Sequence, residues 1–241
     1  YEVPSLYSQY GLDEVLLKQL GYKPKNHKLN LKPWIDLQKK IKKRKHKVKI
    51  AVVGKYTNLK DSYKSLNEAL VHGGIENSAD VDIQWINSEK ENNIGLIKKL
   101  KGCDGILIPG GFGIRGINGK INAIKYAREN NIPFFGICLG MQLAVIEIAQ
   151  NVLKIKNAHS SEFKKTTKSV VGLMTEWVNK NKIEKRDKNS DKGGTMRLGA
   201  YKAVLKKNSK IFSIYKNKVI SERHRHRSVS YTHLRAHETS L

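Results

Sequence analysis

The sharpest chemical pattern in the chain is the run Gly136-Ile137-Cys138-Leu139-Gly140. A glycine stands two residues on either side of a cysteine, after a hydrophobic stretch and before a helical one. The same spacing around serine builds a strand–turn–helix elbow that presents a nucleophile above a sheet. The turn holds its central residue in a crowded backbone conformation, so its neighbours must be small. The helix that follows aims its first N–H groups and its dipole at the sulfur, favouring thiolate over thiol and offering donors to an oxyanion. The plainer alternative is a buried cysteine at a strand end, common among free cysteines. Both glycines and the strand–helix context favour the nucleophile.

A second glycine cluster, Pro109-Gly110-Gly111-Phe112-Gly113, also follows a hydrophobic run directly. Acyl chemistry at Cys138 needs a second amide donor from a neighbouring loop, and a glycine loop frees backbone N–H groups to supply one. Residues 111–116 match G-x-G-x-x-G as well. A dinucleotide site would need that motif to open a helix after a unit's first strand, with an acidic residue ~20 positions on. Position 136 is instead a glycine of the elbow, so the oxyanion loop is the better reading.

These loops need elements to hold them. Residues 48–53 (VKIAVV) are a short β-branched run ending at Gly54, the pattern of a buried strand. Asp61 is placed to cap a helix through Gly73-Gly74, with Tyr63, Leu66, Ala69 and Leu70 spaced for one face. Strands are expected at 81–86, 105–108 and 132–137, and helices at 94–101, 119–130 and 139–152. This alternation predicts an α/β fold with an open, mostly parallel sheet flanked by helices. After Asn157 the pattern weakens into loops and short strands at 170–174, 203–205 and 219–220.

Composition bounds the rest. The chain has 241 residues, with 46 Lys and Arg against 21 Asp and Glu, a formal charge of +25. No run approaches the ~18 apolar residues of a spanning helix. Two cysteines, Cys103 and Cys138, exclude a disulfide scaffold and a Cys-only zinc site. A reducing, cytoplasmic setting fits them. The densest basic run, residues 39–49, interleaves no aromatic residue or Asn/Gln with its cations, which argues against a nucleic-acid surface. It reads as a solvated linker. Residues 11–20 read as an amphipathic helix, and Pro24 and Pro33 as part of an irregular connector, so 1–47 is expected to be tail and linker.

PGGFG, GICLGMQ, Ser160-Ser161-Glu162-Phe163, GGTMRLGA (193–200) and ERHRHR (222–227) occur in that order. Together they resemble the class I glutamine amidotransferase domain of the CTP synthases, over residues 48–227. The last two motifs separate CTP synthases from other amidotransferases. The resemblance implies a flavodoxin-like fold with Cys138 as the nucleophile that attacks the glutamine carboxamide, forming a thioester and releasing ammonia. It implies an oxyanion hole from the amides of Gly111 and Leu139. Glutamine would be bound by Gly111, Phe112, Leu139, Gly140, Met141, Gln142, Glu162 and Arg227. The acid suits the substrate's ammonium and the guanidinium its carboxylate.

The resemblance further implies partners and cofactors outside the chain. A synthetase domain of the same polypeptide would use ATP and Mg to activate UTP, with GTP as allosteric activator of glutamine hydrolysis. A homotetramer is expected, with no membrane, nucleic acid or metal ligand set in this chain. Residues 1–47 would be the end of the synthetase domain and a basic interdomain linker.

The family completes its triad with His-Pro-Glu some tens of residues beyond ERHRHR, and no His-Pro-Glu occurs here. The chain stops 14 residues after Arg227, and residues 228–241 are unlike the family. His237-Glu238 has the wrong spacing, while His159, His224 and His226 read as bystanders. The chain is therefore expected to be a fragment with little or no glutaminase activity. Two other classes stay open: another Cys-elbow hydrolase, such as a γ-glutamyl hydrolase or peptidase relative, and a non-catalytic basic module.

Overall fold

The computed structural model describes residues 1–22, 29–57, 60–163, 168–173, 176–179, 182–185, 197–226 and 228–230. Contacts divide the chain into two units, residues 1–50 with 58–84, and residues 51–57 with 85–241.

In the first unit, helices α1 (Val3–Gln9), α2 (Leu12–Gln19) and α3 (Lys32–Lys42) bury no residue fully. Pro33 lies in the first turn of α3, where its missing N–H costs nothing. The basic run is thus partly helical, and three lysines sit in the last turn of α3, where cations complement the helix dipole. Polar contacts tie these helices down. Gln38 Nε2 donates to the Tyr1 carbonyl and to Ser5 Oγ at 3.2 and 3.1 Å. Lys40 Nζ lies 2.7 Å from Glu76 of the helix α4 (Lys64–Glu76), and Arg44 lies 2.6 Å from Asp80. Asp61 belongs to a 3-10 turn, Lys60–Tyr63, and the α4 N-terminus has no side-chain cap, contrary to the expected Asp61 cap.

Strands β1 (His46–Gly54), β2 (Ala79–Asn87), β3 (Gly105–Ile108) and β4 (Phe134–Gly136) form one sheet in the order β2-β1-β3-β4. Strands β3 and β4 run parallel, with Ile108 opposite Gly136. The fold is the expected open, mostly parallel sheet flanked by helices, here α5 (Asn93–Leu100), α6 (Ile117–Glu129) and α7 (Leu139–Glu147). All four residues of β3 are buried, as a strand covered on both faces must be. Val53, Ile86, Leu96, Ile106, Ile124, Leu143 and Ile146 form the core with it. At ~25 cal/mol per Å² of apolar surface removed from water, this cluster is the main stabilising term of the unit.

Helix α7 does not run on as an α-helix to Val152. Residues Ile148–Val152 make a π turn, in which Leu153 N–H bonds the Ile148 carbonyl at 2.9 Å. Beyond it come short strands β5 (His159–Ser160), β6 (Ser169–Leu173), β7 (Glu176–Asn179) and β8 (Lys182–Lys185). A two-stranded antiparallel ribbon follows, β9 (Arg197–Val204) with β10 (Val219–His226), around helix α8 (Lys210–Tyr215). Strand β11 (Ser228–Ser230) pairs with β6.

Candidate active site

The elbow exists because two glycines let the chain fold back on itself at the end of β4. A Cβ on Gly140 would lie 2.1 Å from the Ile108 carbonyl oxygen, and one on Gly136 would lie 2.6 Å from the Gly140 carbonyl carbon. No larger residue fits at either position. Cys138 between them takes φ 54° and ψ −105°, a conformation that costs a non-glycine residue ~1–3 kcal/mol. Ile137 N–H bonds the Ile108 carbonyl at 2.9 Å, and Gln142 N–H bonds the Cys138 carbonyl at 3.1 Å, so strand and helix both anchor the turn.

The backbone N–H groups of Leu139 and Gly111 are directed at the Cys138 sulfur. The loop carrying Gly111 lies against the elbow: a Cβ on Gly110 would stand 3.4 Å from that of Cys138. Burial is the largest influence on the thiol and pushes its pKa up; the Glu162 carboxylate adds to the rise. The two amides and Arg225 oppose it without reversing it. Desolvation thus outweighs the elbow amides, and the net shift is upward, opposite to the lowering expected from sequence.

Of the sequence-derived site residues, Cys138, Leu139 and Gly140 form this turn, and Gly111 meets it from the neighbouring loop, 3.6 Å from Leu139 Cδ2 at the point where a side chain would begin. Phe112 and Met141 are exposed beside it, and Gln142 is buried on α7 one turn from the nucleophile. Glu162 is half-buried and its charge reaches Cys138; its N–H bonds Ser160 Oγ at 3.2 Å. Arg227, Met196 and His237 lie outside the described residues. His159 Nδ1 accepts the Ser160 N–H at 2.9 Å, and the Nδ1 atoms of His224 and His226 are 3.2 Å apart.

Three contributors were not singled out from sequence. The Cys138 thiol donates to the Arg225 carbonyl, 3.9 Å away, which brings β10 to the nucleophile. Lys55, directly after β1, donates to the Phe112 carbonyl. Lys120 on α6 is wholly buried behind Gly111. A lysine at the carboxyl end of a sheet strand was the available signal for Lys55, since sites gather at that edge. For Lys120 it was the spacing Ile117, Lys120, Ile124, Ala127, which places it on the buried face.

The chain matches the family described as glutamine amidotransferase class-I over residues 58–239. The chain belongs to the class I glutamine amidotransferases. Among curated relatives it is 53% identical to a CTP synthase of Rhizobium johnstonii over 230 residues and 52% identical to one of Nitrobacter winogradskyi over 228. Each alignment covers 94% of this amidotransferase chain and 42% of the relative, so the chain spans well under half their length. A solved glutaminase domain of CTPS from Trypanosoma brucei, with bound acivicin, is 39% identical with a TM-score of 0.66. That match covers 79% of the amidotransferase chain and 72% of the trypanosomal one. Among the described residues, no helix of the amidotransferase is long and apolar enough to cross a membrane.

Proposed function

We propose that this chain is the glutaminase part of a CTP synthase, and that Cys138 is its nucleophile. The supporting observation is the strained elbow, with the Leu139 and Gly111 amides on the sulfur of Cys138. The sulfur attacks the carboxamide carbon of glutamine, and the two amides hold the resulting oxyanion. The C–N bond then breaks and ammonia leaves with a proton. Water hydrolyses the thioester to glutamate and regenerates the thiol. Phe112 and residues 139–142 line the side-chain pocket, Glu162 takes the substrate ammonium, and Arg227 its carboxylate.

In the whole enzyme the ammonia serves amination of UTP to CTP by a synthetase domain using ATP and Mg, in a cytoplasmic homotetramer activated by GTP. Residues 1–47 are the end of that domain and the basic linker from it. The raised thiol pKa makes a proton acceptor necessary, and the sequence holds no His-Pro-Glu to supply one. The chain alone therefore turns glutamine over little or not at all; loss of a triad base costs several orders of magnitude in rate.

The test has two arms. Glutamate release by the purified chain is expected to match Cys138→Ala. A chloroketone analogue of glutamine is expected to alkylate Cys138, with protection by glutamine. Cys138-dependent release of glutamate overturns the inactivity, and labelling that glutamine does not slow overturns the glutaminase site.

A further inference from the structure

Among the described residues, Lys120 is the largest fully buried side chain, and its ammonium has no hydrogen-bond partner there. An uncompensated buried charge is costly, so a residue retained this way calls for a use. The carboxylate nearest in charge, Glu89, is held instead by Arg115 through bonds of 2.7 and 2.8 Å. The surroundings of Lys120 are those of the Gly111 loop. Its Nζ stands 4.0 Å from the point where a Gly111 side chain would begin, and Lys55 Cε stands 3.7 Å from the same point. Lys55 also donates to the carbonyl of Phe112, the next residue of the loop. Two cations thus converge on the back of a loop whose Gly111 amide faces Cys138.

Lys55 has a hydrogen bond to explain it, whereas Lys120 has only this position. We propose that Lys120 is a positioning residue for acyl chemistry at Cys138: its buried ammonium sets positive charge behind the Gly111 amide and strengthens the oxyanion hole formed with Leu139. The inference rests on the oxyanion-hole reading of Gly111 and Leu139 given above. Such a charge acts from a buried, low-dielectric position, where it is attenuated far less than at a surface. Burial first, and then repulsion from Lys55, bring its pKa down to about 8, opposed by Glu89. At neutral pH the ammonium form prevails, and above about pH 8 it fades. Lys55, from the end of β1, and Glu89, after β2, are the charged groups that face it.

The experiment needs no turnover. Cys138 is labelled by a chloroketone analogue of glutamine, whose carbonyl passes through a tetrahedral oxyanion, and separately by iodoacetamide, which forms none. Both reagents consume the same thiolate, so the ratio of their rates isolates the oxyanion hole. Lys120→Met should lower the ratio at neutral pH about five- to tenfold, with the chloroketone's half-saturating concentration unchanged. The unsubstituted chain should show the ratio falling as pH passes about 8, and this readout does not depend on the variant folding. A ratio unaltered in a folded Lys120→Met, or flat through that pH range in the unsubstituted chain, overturns the proposal. Gly111→Pro, which deletes the amide, separates the two readings. If it leaves the ratio unchanged, the oxyanion hole itself is refuted, and Lys120's role with it.

Discussion

The carbonyl oxygen of Arg225 lies 3.9 Å from the sulfur of Cys138 and accepts its thiol proton. The residue that donates this bond is the candidate nucleophile, and the bond exists only while the thiol is protonated. Burial works in the same direction, and so does the charge of Glu162. The alkylation rate of Cys138 by iodoacetamide should therefore climb with pH to a midpoint above the ordinary cysteine value of about 8.5. At neutral pH it should lag behind a free thiol. The two neighbouring charges give opposite tests. Glu162→Gln removes a charge that raises the pKa, so its midpoint should fall, while Arg225→Gln should raise it. A midpoint below that of free cysteine would refute this account.

The elbow glycines make a second prediction, with a control elsewhere in the chain. Gly140→Ala drives a methyl to 2.1 Å from the backbone oxygen of Ile108, and rigid backbone cannot give way there. Thermal denaturation should show loss of several kcal/mol or no cooperative transition, because overpacking against main chain is among the costliest changes. Gly73, inside α4, has nothing within 4 Å of its added Cβ and no positive φ. Gly73→Ala should stabilise by about 0.5–1 kcal/mol through helix propensity alone. Equal effects at the two positions would mean that the close approach at Gly140 has been misread.

Glu147 of α7 is completely buried and accepts from Arg128 of α6 through Nε at 3.0 Å and Nη2 at 2.8 Å, and from Asn151 Nδ2 at 3.1 Å. This fork joins the two helices that flank β4, and its bidentate geometry is specific to arginine. Arg128→Ala leaves the carboxylate buried without its cation and should cost about 3–5 kcal/mol in urea denaturation. The double change Arg128→Met with Glu147→Leu removes both charges and should recover most of that loss. If the double variant is as unstable as the single one, packing rather than charge holds the helices together.

The elbow was legible because its glycine spacing is dictated by backbone collision, and collisions leave little freedom in sequence. Strands β1 and β3 were legible because β-branched runs bounded by glycine have few other uses. Residues 32–42 were not, because Pro33 reads as a breaker until its place in a helix's first turn is known. The expected strands at 203–205 and 219–220 are only the tips of β9 and β10. Those strands carry polar, mostly exposed residues such as Glu222 and Arg223, so the alternation that announces a half-buried strand is missing. The contact of Arg225 with Cys138 spans 87 residues and rests on a carbonyl, which every residue owns. No side-chain pattern could have announced it.

Lys120 closes the set, since its burial should be measurable as stability apart from any role in chemistry. Its pKa falls from 10.5 to about 8 on folding, because a desolvated ammonium is disfavoured. A folded-state pKa below the unfolded one destabilises the fold wherever the group must stay charged, by about 3 kcal/mol at neutral pH for a shift of this size. Lys120→Met keeps the stem and removes the charge, so it should raise stability at neutral pH by an amount approaching that figure. As pH rises from about 8 toward 10.5, the folded lysine releases its proton before the unfolded one does. The penalty then disappears, and the advantage of Lys120→Met should shrink over the same interval. Urea denaturation of both chains across this range checks the sign directly. A methionine variant less stable at neutral pH, or an advantage that grows with pH, would mean that Lys120 is a paired structural cation rather than one held at a cost behind Gly111.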